Sequence, residues 1–408
     1  MKAPVFCRFS SFRKTLFPES LEKNSELTRG VLWIAPSIAS LALLIKSQML
    51  SVMLRVRHQY IATCGILKLR WNMFNLMVMA VDLAILMATT ITVIASYSIS
   101  YLVSKIEKKF GLVAVDIHKP GKVVVARTGG IALILSLSLA LAVWGTLGRV
   151  NSVALIYVLS AIIAGLMGLF DDFKHLNVRT KLILFSLPAL LPVVLGLYVP
   201  HPFIPLIGHL RLTIVYPILV IVAFDVLANA FNMSDTHNGV IVSAFLIFSI
   251  SLYISTFLPG PRPMEGFEIL LAIATLVVVG YLPLNAYPAK MLNGNSGSHL
   301  IGTLVAALTI ASRREFLAIM LLIPQILNGY LVLLTAGLRS KESIERPTKL
   351  SRDGIILPNC SPNAPITFVK LMVIDRGLRE KELVIRYIML QVIASTTSLL
   401  LYFVMTSL

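Results

Sequence analysis

From Met73 to the C-terminus the chain alternates between apolar runs of bilayer length and short polar loops. A helix needs about 20 apolar residues to cross the hydrocarbon core. Backbone in lipid must satisfy its own hydrogen bonds, so such runs are read as helices and not as strands of an open sheet. Ten spans are read, at 73–103, 129–147, 152–170, 182–199, 212–230, 240–258, 268–285, 299–311, 316–338 and 384–407, the eighth being the shortest. The expected fold class is therefore all-α, a polytopic membrane helix bundle with about ten transmembrane helices. A composition 57% hydrophobic and only 13% charged is that of such a protein and not of a soluble chain.

Residues 1–72 fit this pattern poorly. Gly30–Ile45 is apolar but short and holds Pro36, and a basic region from Lys46 to Arg70 follows. Two readings stand: a signal-like or interfacial segment, or a start assigned too early, with Met73 the true first residue. The expected organisation is an N-terminal extension, 1–72, and a ten-span domain, 73–408.

The formal net charge of +17 does not imply a nucleic-acid partner, because no basic stripe is interleaved with stacking aromatics. The basic residues gather instead in alternate loops. The first loop carries Lys105, Lys108, Lys109, Lys119, Lys122 and Arg127; the third, Lys174, Arg179 and Lys181; the seventh, Lys290; the ninth is basic from Arg339 to Lys381. The opposite loops hold only Arg149, Arg211, Arg262, Arg313 and Arg314. The odd loops are thus expected in the cytoplasm, with the Arg313–Arg314 pair running against the rule. Cys7, Cys64 and Cys360 are too far apart to suggest a disulfide framework or a zinc site.

The polar clusters that stand out all fall in odd loops, on one face. The third loop, GLFDDFKHLNVRTK, puts Asp171 and Asp172 at the end of one apolar run and Lys181 at the start of the next. Carboxylates at a membrane boundary are costly unless solvated or paired, and are usually functional; a solvated loop capping the next helix is the plain alternative. The first loop holds DIHKPGK and RTGG, whose Pro and Gly turn the backbone and whose glycine pair permits close approach of a chain or ligand. The fifth, NAFNMSDTHNG, packs Asn229, Asn232, Asp235, His237 and Asn238 between apolar spans, with Asn229 and Asn232 one helical turn apart. Amides and carboxylates suit magnesium and also read a nucleobase. The seventh contains GNSGS, Gly294–Ser298, a candidate anion site just before a helix. The ninth contains ERPTKLSRDG, where Arg346, Lys349 and Arg352 suit a phosphate or sugar, or simply a solvated basic loop.

In this order the motifs DIHKPGK…TGG, LFDD…R-x-K, NxxNxxD-x-x-NG and PAK…GNSGS resemble the polyprenyl-phosphate N-acetylhexosamine-1-phosphate transferase family, from about residue 73 onward. RPT followed by DG in the ninth loop, and the late ITFVKLMV segment, are closer to its archaeal and eukaryotic dolichyl-phosphate branch. The resemblance implies an enzyme that passes a sugar-1-phosphate, GlcNAc-1-phosphate by the family's example, from a UDP-linked amino sugar to a polyprenyl or dolichyl phosphate, releasing UMP. It implies a membrane enzyme with Mg²⁺ as cofactor, an active site on the cytoplasmic face and a homodimer as one possible assembly. By resemblance Asp171, Asp172 and Lys181 are catalytic, the acids acting on the lipid phosphate directly or by orienting Lys181. Asn232 and Asn295 correspond to metal ligands. Lys122, Asn229, Asp235, His237, Asn238, Ser296 and Arg346 correspond to substrate-binding positions. Two residues depart from the family pattern: Thr236 stands where many members have Gly, and Asn295 where many have a metal-binding Asp. The second departure should weaken metal affinity, since a full charge is lost. A catalytically weak assembly subunit and a transporter are the competing readings; Asp225 is the clearest acid inside a span.

Overall fold

In the computed structural model residues 65–174, 176–337 and 344–408 are described. Most of the expected N-terminal extension therefore lies outside the described residues, as do His175 and the ninth-loop charges Arg339 and Lys341. The chain divides into two compact units, Met1–Ile85 and Leu86–Leu408, and the site belongs wholly to the second.

The elements are helices joined by short hairpins. In order they are α1 Gly65–Lys109, β1 Val113–Val115, β2 Val124–Ala126, α2 Gly129–Thr146, α3 Ser152–Lys174, α4 Val178–Ser186, α5 Leu190–Val194, β3 Phe203–Ile204, β4 Gly208–His209 and α6 Tyr216–Ser234. Then follow α7 Val240–Ser255, α8 Phe267–Asn285, α9 Gly294–Ser312, α10 Glu315–Leu321, α11 Ile323–Ala336, β5 Thr348–Leu350, β6 Ile356–Pro358, α12 Phe368–Met372 and α13 Glu380–Ser407. Each strand pair is an isolated antiparallel two-stranded hairpin, so sheet contributes little.

The protein is an all-α membrane bundle. Among the described residues six helices are long and apolar enough to cross a membrane, or seven if α10 and α11, bent by 68° at their junction, form one broken span. The count of ten is thus approximate. The expected span 182–199 is split into α4, a 3₁₀ turn at Leu187–Ala189 and α5, because Pro188 and Pro192 interrupt the ladder. The expected span 299–311 is the interior of α9. It begins five residues earlier, at Gly294, and every residue from Ser296 to Ser312 is buried. A helix enclosed on all sides by other helices need not carry the hydropathy of a lipid-facing one.

Helix α9 is the axis of the unit, packed against α2, α3, α6 and α8. Its contact with α3 is close enough that a Cβ on Gly168 would sit 2.6 Å from the Asn295 carbonyl oxygen. At its far end Arg314, only 2% exposed, donates to the carbonyls of Leu258 and Pro259 and to the Tyr402 hydroxyl. These bonds tie Tyr402 of α13 to the segment that follows α7.

The ninth loop is folded. Ile356 of β6, Val369 of α12, and Val373, Leu378 and Leu383 form a small apolar core. Asn328 of α11 ties this lobe to the bundle, accepting from the Phe368 N–H at 2.9 Å and donating to the Met233 carbonyl and the Ser234 hydroxyl.

Candidate active site

The site begins with two consecutive acids at the end of α3. Asp172 turns its carboxylate onto the start of α9: Oδ1 accepts from the Asn295 N–H at 2.9 Å and Oδ2 from the Ser296 N–H at 3.1 Å. These are orphan donors of the first helical turn, where a negative charge is favoured. Asp171, with no exposed surface, accepts from the Leu176 N–H at 2.9 Å through Oδ1. Its Oδ2 accepts from the Asn295 side-chain amide at 2.7 Å and pairs with Lys181 Nζ at 2.7 Å. The acid pair thus binds the start of α9, the third loop and Lys181 into one unit. Arg127 closes it by donating Nη2 to the Asp172 carbonyl at 2.8 Å.

The first and seventh loops are zipped together by backbone bonds, Leu292 N–H to the Ala126 carbonyl at 2.9 Å and Gly129 N–H to the Leu292 carbonyl at 2.8 Å. A Cβ on Gly129 would fall 2.0 Å from the Tyr281 hydroxyl, so the glycine of RTGG is there for close approach of chain to chain. Buried Glu107 accepts from the N–H groups of Arg127 and Thr128 and caps the entry to α2. The fifth loop joins through side chains. Asn293 donates to Asp235 at 2.8 Å, Ser298 donates to Asn232 Oδ1 at 3.0 Å, and Asn238 donates to Asp116 at 3.1 Å.

These loops surround a cavity of about 580 Å³. Its lining combines polar residues, Lys181, Asn229, Asn232, Asp235, His237 and Asn295, with apolar ones such as Val332, Leu333 and Ala336 of α11; Arg346 and Thr348, at the start of the β5 hairpin, complete it. His118 and His237 stack with ring centroids 3.9 Å apart. Burial pushes the His118 imidazole down to about 4, against the pull of Asp116. His237 is also held well below its ordinary value, by burial first and by His118 second. Both rings are therefore neutral at pH 7. Burial alone would raise the Asp116 carboxyl, but hydrogen bonds from Lys119 and Asn238 carry it below the usual carboxylate range.

Of the residues singled out from sequence, Lys181, Asn229, Asn232, Asp235, His237, Asn295 and Arg346 line the cavity. Asp171 and Asp172 stand behind that wall. Ser296 is buried at the start of α9 and Asn238 is spent on Asp116, and neither is among the lining residues. Lys122 is exposed in the turn between β1 and β2 and is not among the lining residues, although Ile117 and His118 of the same turn are. His118 was missed, although it sits inside DIHKPGK; its one signal was a histidine among turn residues, too weak to weigh without its stacking partner.

The glycosyl transferase family 4 model matches residues 154–313, from α3 through α9. A protein of Saccharolobus solfataricus, provisionally named UDP-N-acetylglucosamine–dolichyl-phosphate N-acetylglucosaminephosphotransferase, is 35% identical over 62% of this chain and 79% of its own length. The chain belongs to glycosyl transferase family 4. A Sulfolobus acidocaldarius protein of the same provisional name is 30% identical over 54% of this chain and 69% of its own. The phospho-N-acetylmuramoyl-pentapeptide-transferase of Wolinella succinogenes is 32% identical over 30% and 37% respectively. The protein is thus a family 4 transferase embedded in a membrane. The matched segment contains the acid pair, Lys181 and both candidate amide ligands; Arg346 and the ninth-loop lobe fall beyond it.

Magnesium takes hard oxygen donors, often one or two carboxylates completed by substrate phosphates and water. Asn232 and Asn295 bring amide oxygens to the cavity wall, with the Asp171 carboxylate directly behind. Among the described residues no group of three or more His, Cys, Asp or Glu side chains is placed to hold a metal ion. The donor set fits a cation shared with a phosphorylated substrate.

Proposed function

We propose that this enzyme transfers GlcNAc-1-phosphate, or a related amino-sugar-1-phosphate, from a UDP-sugar to a polyprenyl or dolichyl phosphate on the cytoplasmic side of the membrane. The observation that carries the reading is the meeting of Lys181 and Asn295 on Asp171, at the wall of a cavity lined by both polar and apolar side chains. A phosphorylated lipid needs both characters in one place. The first, third, fifth and seventh loops meet at this site, and the basic residues several of them carry support the cytoplasmic side.

In the reaction an oxygen of the lipid phosphate attacks the β-phosphorus of the UDP-sugar. The bond from that phosphorus to the bridging oxygen breaks, and UMP leaves with the oxygen and its electron pair. The lipid phosphate is already ionised, so positioning and charge stabilisation count for more than base catalysis. Lys181 offsets the repulsion between the two phosphates. Asp171 and Asp172 act as positioning residues, holding Lys181 and the start of α9 from behind. Asn232 and Asn295 would hold Mg²⁺, which when bound would stabilise charge on the diphosphate. Asp235 and His237 face the nucleotide, and Arg346 the sugar.

Membranes containing the protein are incubated with labelled UDP-GlcNAc and either dolichyl or undecaprenyl phosphate, with and without Mg²⁺. Label should enter the lipid phase with release of UMP. No lipid-linked label with either acceptor would refute the reading. Label that appears from UDP-GalNAc alone would keep the reaction and replace the sugar.

A further inference from the structure

We propose that Asn295 is an uncharged tether for Asp171, and that the site consequently takes up its divalent cation together with the diphosphate of the nucleotide sugar instead of holding the cation beforehand. This rests on the transferase reading above and concerns the order in which that site fills.

Every carboxylate oxygen of the acid pair is already engaged by the protein. Asp171 accepts from the Leu176 N–H, the Asn295 amide and the Lys181 ammonium. Asp172 accepts from two N–H groups at the start of α9. Asn232 Oδ1 accepts from the Ser298 hydroxyl. One negative charge is thus balanced by an ammonium and the other by a helix N-terminus, so neither is left to recruit a cation. Magnesium gives up its water reluctantly, and its affinity follows the charge of its ligands. Bound to this site alone it would have to displace Lys181 from Asp171, or rest on neutral amides and on Asp235, whose carboxylate already accepts from the Asn293 amide at 2.8 Å. A diphosphate brings the missing negative charge.

The same geometry explains why an amide suits position 295. An aspartate there would bring a carboxylate oxygen about as close as the present 2.7 Å contact to Asp171, and two like charges at that range need a cation or a proton between them. Asparagine donates where aspartate would repel, and leaves the free site stable without metal.

The test is thermal unfolding of metal-stripped protein in nanodiscs lacking acceptor lipid, in four arms: no addition, Mg²⁺, UDP, and both. Ligands that bind the native state raise Tm. Mg²⁺ alone should shift the wild-type Tm by less than about 1 °C, and Mg²⁺ with UDP by several times the shift of UDP alone. Retention of Mn²⁺ on gel filtration should likewise require UDP. In Asn295→Asp, Tm should fall in the absence of metal and recover with Mg²⁺ alone, and Mn²⁺ should bind without nucleotide at least ~10-fold more tightly than to wild type. Full stabilisation of the wild type by Mg²⁺ alone, or Mn²⁺ retained without UDP, overturns the proposal while leaving the transferase reading intact. If UDP stabilises nothing and no label reaches lipid, both fall. The wild-type arms decide the matter even if the variant fails to fold.

Discussion

Replacing Asp172 with asparagine changes one atom in the side chain and tests the frame of the site. The carboxylate accepts from the Asn295 and Ser296 N–H groups at 2.9 and 3.1 Å and is 6% exposed. An amide keeps one acceptor and turns an NH₂ toward the other donor. One charge-assisted bond, worth ~1.5–3 kcal/mol, is lost, and the survivor falls to a neutral bond of about 1 kcal/mol. The favourable charge at the helix start adds roughly 0.5–1 kcal/mol. The sum is a loss of about 2.5–6 kcal/mol, centred on the residues that present Asn295 to the cavity. Tm in nanodiscs should fall by several degrees, and transfer of labelled sugar phosphate to lipid should fall at least ~100-fold, as expected when a positioned group moves by about 1 Å. The protein should still insert and purify. Wild-type Tm and turnover in Asp172→Asn would refute the claim that this carboxylate anchors α9.

Lys181→Met should reduce transfer by ~10²–10³-fold, the loss typical of removing a group that stabilises developing charge; turnover within threefold of wild type would remove Lys181 from the site. Gly168→Ala places a Cβ 2.6 Å from the Asn295 carbonyl oxygen, so α3 and α9 must separate. A stability loss of ~1–3 kcal/mol with a larger fall in kcat than in KM is expected, and unchanged kinetics would contradict the close packing. His118, held at about 4 when folded and near 6.5 when unfolded, favours folding fully above pH 6.5 and loses that contribution as pH falls toward 4. Between pH 7 and pH 5 the loss is about 2 kcal/mol, so the wild-type Tm should drop further over this interval than that of His118→Phe; equal drops would show that the imidazole is not buried neutral.

The fold was legible because lipid leaves so few options. Apolar runs of bilayer length must be helices, and the positions of α2, α3, α6, α8 and α13 follow from them within a few residues. Where the reading slipped, packing had replaced lipid as the surroundings. Helix α9 starts at Gly294 with a polar, glycine-rich turn that hydropathy takes for loop, yet this turn is the part of the helix the acid pair holds. The α10–α11 bend of 68° leaves no mark in an apolar count. Within the site, the family resemblance carried by the loop motifs grouped Asp171, Asp172, Lys181, Asn232 and Asn295. They did not reveal that the two acids face inward while the lysine and amides face the cavity. That division depends on which donors a third element brings, here the N–H groups of α9, and no spacing within the third loop encodes it. The stacking of His118 on His237 is lost to sequence for the same reason, since 118 residues separate the two rings along a chain that only the folded loops bring to 3.9 Å. The distinction between a group that faces the cavity and one that positions it from behind therefore arises only where separate loops meet.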